Sequence, residues 1–297
     1  MNTTPNSGPT TNPRTRIQEL PHLPPLAPVA QDLLRELNRE EIEINRLCRA
    51  IEQDPGLTAR LIGVANSAYF SQREPIYDLS TAIIRVLGLN LVKSLSLGIA
   101  LSAPFDTKAC PAFPLDRYWC LAMLTSTLAS QLAPQAQLEA GAGDYLFLGG
   151  LLHNLGELVL AHCFPRQVCE VLRQAKSNPR LAIDGLQREA IGISASEAGV
   201  LLGHKWHLPE RILHVIGHHH DHHYRDQDWR TVCLIGYCSR LVQREYCNVD
   251  SAADANPGHP HNVLELPENA VAATLERLRG KGEQTQALAM TLAGREQ

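Results

Sequence analysis

The sequence predicts an all-α fold, and three observations carry that prediction. Apolar residues recur at helical spacing through most of the chain; Ile44, Leu47, Cys48 and Ile51, for example, fall at i, i+3, i+4 and i+7 on one face. Start and stop signals punctuate the pattern, among them Asp54-Pro55 and Gly88. No window alternates apolar and polar residues with β-branched enrichment, so strands are not expected. With 297 residues the chain can bury a substantial core, as one large domain or two smaller ones.

In chain order, residues 1–19 read as a disordered tail, poor in apolar side chains and rich in Thr, Asn and Pro. The proline-rich entry Leu20–Pro28 is fixed in extended turns by its prolines, and its leucines suit docking onto the same chain. After the helix around Ile44–Ile51, Asp54 is placed to cap a helix that Pro55 begins and that runs through Leu57, Leu61 and Val64 to Asn66-Ser67. Asn66 and Ser67 are expected to bond nearby backbone at its end. A loop over Ser71–Pro75 precedes a helix with Ala82, Ile83, Val86 and Leu87 in register and Gly88 as its stop. Leu91, Val92, Leu95 and Ile99 build the next one. Tyr118, Leu121, Leu124, Thr125 and Leu128 mark a long amphipathic helix, and further helices are expected near 145–162, 166–176, 194–206, 209–222 and 229–245. Residues 248–262 read as a linker, and a last helical pair near 268–293 carries Val271, Leu275 and Leu278 as its apolar stripe.

Composition narrows the function classes. Hydrophobic residues are 44% and charged residues 20%, with a net charge of −4, so there is no general pull toward nucleic acid or anionic membranes. No uninterrupted apolar run of about 20 residues is apparent, and the first residues lack the basic and apolar regions of a secretory signal. The eight cysteines include no Cys-x-x-Cys pair and sit mostly in apolar helical surroundings, which fits reduced thiols and a cytoplasmic location.

The most informative pair is His153-Asn154, at the end of the apolar run Leu146–Gly156. A metal hydrolase would want His-Asp there, because the carboxylate brings negative charge to a divalent cation and orients the attacking water. Asn154 is similar in shape but neutral.

The segment Ile51–Phe70 (IEQDPGLTARLIGVANSAYF) closely resembles the signature of the HDOD domain, the HD-related output domain of bacterial signalling proteins. Flanking landmarks agree: Leu20–Leu26, Pro75-Ile76, Ala82-Ile83 and Leu87-Gly88-Leu89. Gly150–Gly156, Glu197-Ala198-Gly199, Trp206–Pro209 and Ile216–Asp221 resemble the later ones. The resemblance covers about residues 20–246. It implies a two-lobed helical bundle, with an N-terminal lobe over about 20–110 and an HD-domain-like C-terminal lobe over about 115–246. Residues 247–297 are then a linker and a C-terminal helical extension.

The resemblance also supplies positions to test. An HD phosphohydrolase gathers His, His-Asp, further His and a final Asp from successive helices. Here Leu121 stands at the first His, His153 is retained, Asn154 replaces the Asp, and Ala195 and Ser239 occupy a later His and the last Asp. His219 and His220 form the paired-histidine segment. With no anionic ligand among them, no catalytic residue and no cofactor are expected, and His153 reads as a buried, hydrogen-bonded core residue.

Eight of the 13 histidines lie between His204 and His223. If one helix carries them, His214, His218 and His222 form an i, i+4, i+8 stripe with incidental metal affinity, and His219 and His223 form a second pair. Arg60, Arg73, Arg85 and Lys93 could make a basic face in the N-terminal lobe, with Arg60 and Arg73 as a partner surface. The function expected is non-catalytic signal transduction through a protein partner. The alternatives are a metal-dependent HD-type phosphohydrolase or cyclic-dinucleotide phosphodiesterase, and a pseudoenzyme that senses a nucleotide second messenger. The sequence leaves the oligomeric state open.

Overall fold

Capping chemistry and apolar spacing turn the N-terminal half into a series of short helices. In the computed structural model, which describes residues 25–37, 43–178, 182–247 and 263–294, these are α1 (Pro28–Leu37), α2 (Ile44–Glu52) and α3 (Pro55–Ala65). Asp54 Oδ1 accepts from the Leu57 amide at 3.0 Å and Pro55 opens α3, as the sequence predicts. Asn66 closes it: its amide donates to and its oxygen accepts from the Ile76 backbone, both at 2.7 Å, pinning the following loop. α4 (Leu79–Thr81) runs into a wide π-helical turn, Ala82–Leu87, and α5 (Leu89–Ser102) follows.

The second half comprises α6 (Leu115–Leu132), α7 (Gly143–Leu152), α8 (Leu155–Cys163), α9 (Pro165–Ser177), α10 (Ile183–Ile191), α11 (Ala195–Lys205), α12 (Glu210–His218) and α13 (Trp229–Cys247). α14 (Glu268–Arg279) and α15 (Gly282–Leu292) complete the chain. Among the described residues there is no strand. The N-terminal tail, Leu20–Pro24 and the linker 248–262 lie outside the described residues.

Two apolar clusters hold the helices together. The larger one joins α1–α5 to α7, α8, α11 and α12 without a break, so the two lobes share a core. The smaller one links α6 to α13 and α14. The C-terminal pair is not an appendage: Leu288, Ala289 and Leu292 enter the larger cluster, and Val271, Leu275 and Leu278 the smaller.

Four sequence expectations change. The predicted helix 145–162 is two helices, because the chain turns at His153-Asn154, where Asn154 takes φ −101° and ψ 20°. The predicted helix 209–222 stops at His218; the Asp221 amide donates to the His218 carbonyl at 2.8 Å, and Asp221 Oδ1 accepts from the His223 amide at 2.8 Å. The sequence does not announce α10, since Gly185 weakens its first turn and Gln187–Glu189 is a polar run. Finally, Gly143–Cys163 is by length and composition apolar enough for a membrane span, which the reading of the sequence overlooked; 78% of that stretch is buried inside the fold.

Candidate functional site

The break between α7 and α8 places His153 in the middle of the bundle, 1% exposed. Its Nδ1–H donates to the Gly150 carbonyl at 2.6 Å, which leaves Nε2 as an acceptor. The Ser239 hydroxyl, from α13, donates to Nε2 at 3.0 Å, and Ser239 Oγ in turn accepts from Gln243 Nε2 at 3.3 Å. Burial pushes the His153 imidazole down to about 4, so it is neutral at physiological pH. His153 is thus a buried, hydrogen-bonded residue of the bundle interior.

His219 stands edge-on to it, with ring centroids 5.0 Å apart, and His220 tilts against His219 at 3.9 Å. Gly236 makes this possible: a Cβ there would lie 2.0 Å from the His219 carbonyl oxygen, so only glycine lets α13 come this close. His219 is 3% exposed. Its Nδ1–H donates to the Val215 carbonyl at 3.0 Å, while Nε2 is buried with no hydrogen-bond partner. Burial holds this imidazole well below its usual range. His220 lies on the solvent side.

The other predicted positions contribute shape. Leu121 packs against the α6–α13–α14 cluster, and Ala195 begins α11, where its amide donates to Gln187 Oε1 at 2.7 Å. A Cβ on Gly156 would lie 1.7 Å from the Ala195 carbonyl oxygen, so the glycine after His153-Asn154 sets how tightly α8 meets α11. Asn154 is buried, and its side chain does not cap α8.

Charged groups missed by sequence reasoning converge beside the histidines. Glu157, in the first turn of α8, faces Asp184 of α10 and Arg117 of α6. Burial, then the Asp184 charge, raise its carboxyl to about 7 against the opposing pull of Arg117. Asp184 Oδ1 is buried without a hydrogen-bond partner. Arg240 of α13 and Asp184 both act electrostatically on His220. A lone acidic residue inside the apolar run Leu155–Ala161 was the available signal for Glu157.

The histidine stripe does not form, because His222 lies beyond the end of α12. His214 Nδ1 is 3.0 Å from Asp228 Oδ2, and His218 stacks on Tyr224 with centroids 4.3 Å apart. The basic face is not one surface either. Lys93 is buried, Arg60 is half-buried with its guanidinium against Gly294, and Arg85 is exposed and paired with Glu74 at 3.5 Å. Arg73 alone of the four is exposed without an ion pair among the described residues.

A divalent metal fits this set poorly. Both His153 nitrogens are engaged, and among the described residues no three His, Cys, Asp or Glu side chains converge as a ligand group.

The sequence matches the HDOD domain over residues 23–222. The chain belongs to the HDOD family. HDOD domains are relatives of the HD phosphohydrolases. An uncharacterized protein of Treponema pallidum (strain Nichols) is 28% identical over 239 residues, which are 77% of this HDOD chain and 44% of that protein. Among solved structures, a "Putative signal transduction protein" from Marinobacter aquaeolei VT8 is 24% identical with a TM-score of 0.80, covering 91% of this chain and 60% of that one. An HDOD domain protein of unknown function from Geobacter sulfurreducens is 20% identical with a TM-score of 0.72, covering 94% and 97%. The chain thus spans less than two thirds of the first two relatives. The structural likenesses establish the fold as that of HDOD proteins.

Proposed function

We propose that this chain is a non-catalytic regulatory module of bacterial signal transduction, acting in the cytoplasm by binding a protein partner. One observation carries the reading: both nitrogens of His153 are committed inside the fold, one to Gly150 and one to Ser239, where an HD enzyme needs a free nitrogen and a carboxylate. Neutral groups at Asn154 and Ser239 would leave a dication without the anionic oxygens that hold it and activate water. The shared core and the retained packing of α7, α8, α11 and α12 fit a scaffold kept for its shape.

The test is direct. Protein incubated with Mn²⁺, Fe²⁺ or Zn²⁺ is analysed for bound metal and assayed on phosphomonoesters and cyclic dinucleotides. The expected result is no stoichiometric metal and no turnover. Stoichiometric metal, with turnover that disappears in a folded His219→Ala variant, overturns the proposal.

A second reading, an HD-type phosphohydrolase with a nonstandard ligand set, draws on the unpartnered His219 Nε2 and Asp184 Oδ1 beside the near-neutral Glu157. The same assays decide it, with Glu157→Gln as the informative variant.

A further inference from the structure

Away from the histidines, the fold brings two cysteines together where its halves are joined. Residues 103–114 contain no helix and connect α5, the last helix of the N-terminal half, to α6, the first of the second half. Asp106, Lys108 and Ala109 of this segment are exposed, whereas Phe105, Cys110 and Phe113 turn inward and enter the larger apolar cluster. Cys110 is fully buried between two tight turns: its amide donates to the Thr107 carbonyl at 2.9 Å, and its own carbonyl accepts from the Phe113 amide at 2.9 Å.

Its sulfur meets that of Cys169, a half-buried residue of α9. The two sulfurs lie 3.1 Å apart, although 59 residues separate them in sequence. Disulfide sulfurs are about 2.05 Å apart, so roughly 1 Å of approach separates this pair from a covalent bond. The segment is also held beside the contact. The Asp106 amide donates to His162 Nδ1 at 3.1 Å, and Phe105 packs on His162 and Trp206 with ring centroids 5.9 and 5.7 Å apart.

We propose that Cys110 and Cys169 form a reversible disulfide, an oxidative modification site that ties the segment between the two halves to α9. In a reducing compartment such bonds are transient and report oxidation, which agrees with thiols that are free in the resting chain.

The oxidant is a low-molecular-weight disulfide, and the exchange runs in two steps. Cys169 is the accessible partner; its thiolate attacks the external disulfide, forms a mixed disulfide and expels one thiol. Cys110 then gives up its proton and attacks Cys169 Sγ, which forms the internal bond and expels the second thiol. Two protein thiols are oxidised and one external disulfide is reduced to two thiols. The order follows from the site. Burial, then the hydrogen bond to Cys169 and the charge of an ionised Cys169, push the Cys110 thiol up to about 12, so Cys110 does not begin the exchange. A mixed disulfide at Cys169 removes that charge and eases the second step.

The test uses the full chain, equilibrated with mixtures of reduced and oxidised glutathione, quenched in acid, alkylated and digested with trypsin without reduction. Cleavage after Lys108, Arg117, Arg166 and Arg173 leaves each cysteine alone in its own peptide, 109–117 and 167–173. The expected product is these two peptides joined, two hydrogens lighter than their sum, from monomeric protein and lost with dithiothreitol. The oxidised chain melts several degrees above the reduced one, because a closed loop of this length restrains the unfolded state. Cys169→Ser removes both effects; if that variant does not fold, the joined peptides and the melting shift of the unsubstituted chain decide. The proposal is overturned if Cys169 stops at the mixed disulfide or pairs with Cys163 while peptide 109–117 is recovered alkylated. Joined peptides that come only from a covalent dimer or from urea-unfolded chain also overturn it, as does a linked chain that melts no higher than the reduced one.

Discussion

Ser239 donates a 3.0 Å hydrogen bond to His153 across 86 residues of sequence, tying α13 to the turn between α7 and α8. The direction of this bond follows from the Gly150 carbonyl, which fixes the His153 proton on Nδ1. Gln243, Ser239, His153 and Gly150 form one donor-to-acceptor chain. His153 is thereby a structural tie between α13 and the turn joining α7 to α8.

Removing the serine hydroxyl exposes that role. Ser239→Ala leaves a fully buried imidazole nitrogen unsatisfied, which costs about 1–3 kcal/mol. Urea denaturation is expected to show this loss with an unchanged slope. No loss in the midpoint would mean that the bond contributes nothing to stability.

Acid should weaken the fold through the same residue. The His153 pKa is lowered in the folded protein to about 4 from an ordinary 6.5, so its stabilising contribution is intact above about 6.5 and is lost as pH falls toward 4. The shift corresponds to about 3 kcal/mol, and His219, shifted in the same direction, adds to it. Melting temperatures measured from pH 7.5 to 4 should fall across this window, and a flat profile would refute the assignment.

Glu157 works with the opposite sign. Its pKa is raised in the folded state to about 7, so the folded state favours the protonated carboxyl and stability is lost as pH rises through 7. Glu157→Gln keeps a neutral side chain at every pH and should therefore stabilise the protein above pH 7, by about 1 kcal/mol once partial exposure is allowed for. The gain should vanish near pH 5. An equal effect at both pH values would point to packing instead of ionisation.

The sequence predicts much of this arrangement, for reasons that differ by residue. Asp54-Pro55, Asn66 and the Leu47–Ile51 face act locally, so their roles follow from spacing and capping alone. Pairing His153 with Ser239 required the family resemblance, because no local signal joins residues 86 apart. The helix boundaries at His153-Asn154 and His218 were invisible: the break at Asn154 depends on how Gly156 meets Ala195, and the end of α12 depends on a turn built by Asp221. The supposed histidine stripe failed with that boundary. Glu157, Asp184 and Arg117 escaped notice because each is unremarkable until three helices bring them together.

The contact between Gly156 and Ala195 makes a sharper claim. A methyl group on Gly156 would sit 1.7 Å from a backbone carbonyl oxygen, and neither helix can yield without separating α8 from α11. Gly156→Ala should cost more than about 3 kcal/mol, the upper part of the range for overpacking. Gly185→Ala, where nothing lies within 4 Å of the added atom, is the matched control and should be neutral or stabilising. Circular dichroism melts of the two variants separate steric conflict from a general intolerance of alanine.

The C-terminal helices supply the last prediction. A sequence reading could treat residues after 247 as an extension of open purpose, yet α15 packs against α3 and α6, and Thr291 rests on Gly63. Leu288 and Leu292 are fully buried there, Lys281 lies over the Tyr69 ring at 4.8 Å, and Arg279 pairs with Glu245 at 2.5 Å. The apolar contacts dominate, because exposed ion pairs such as the last contribute about 1 kcal/mol or less. Leu288→Ala should thus destabilise the whole chain by about 2–5 kcal/mol, while Arg279→Ala should cost under about 1 kcal/mol. A chain truncated after residue 262 should unfold at lower denaturant and bind a hydrophobic dye through the uncovered faces of α3 and α6. If Leu288→Ala instead leaves the midpoint in place, the helical pair is a separable unit and not part of the shared core.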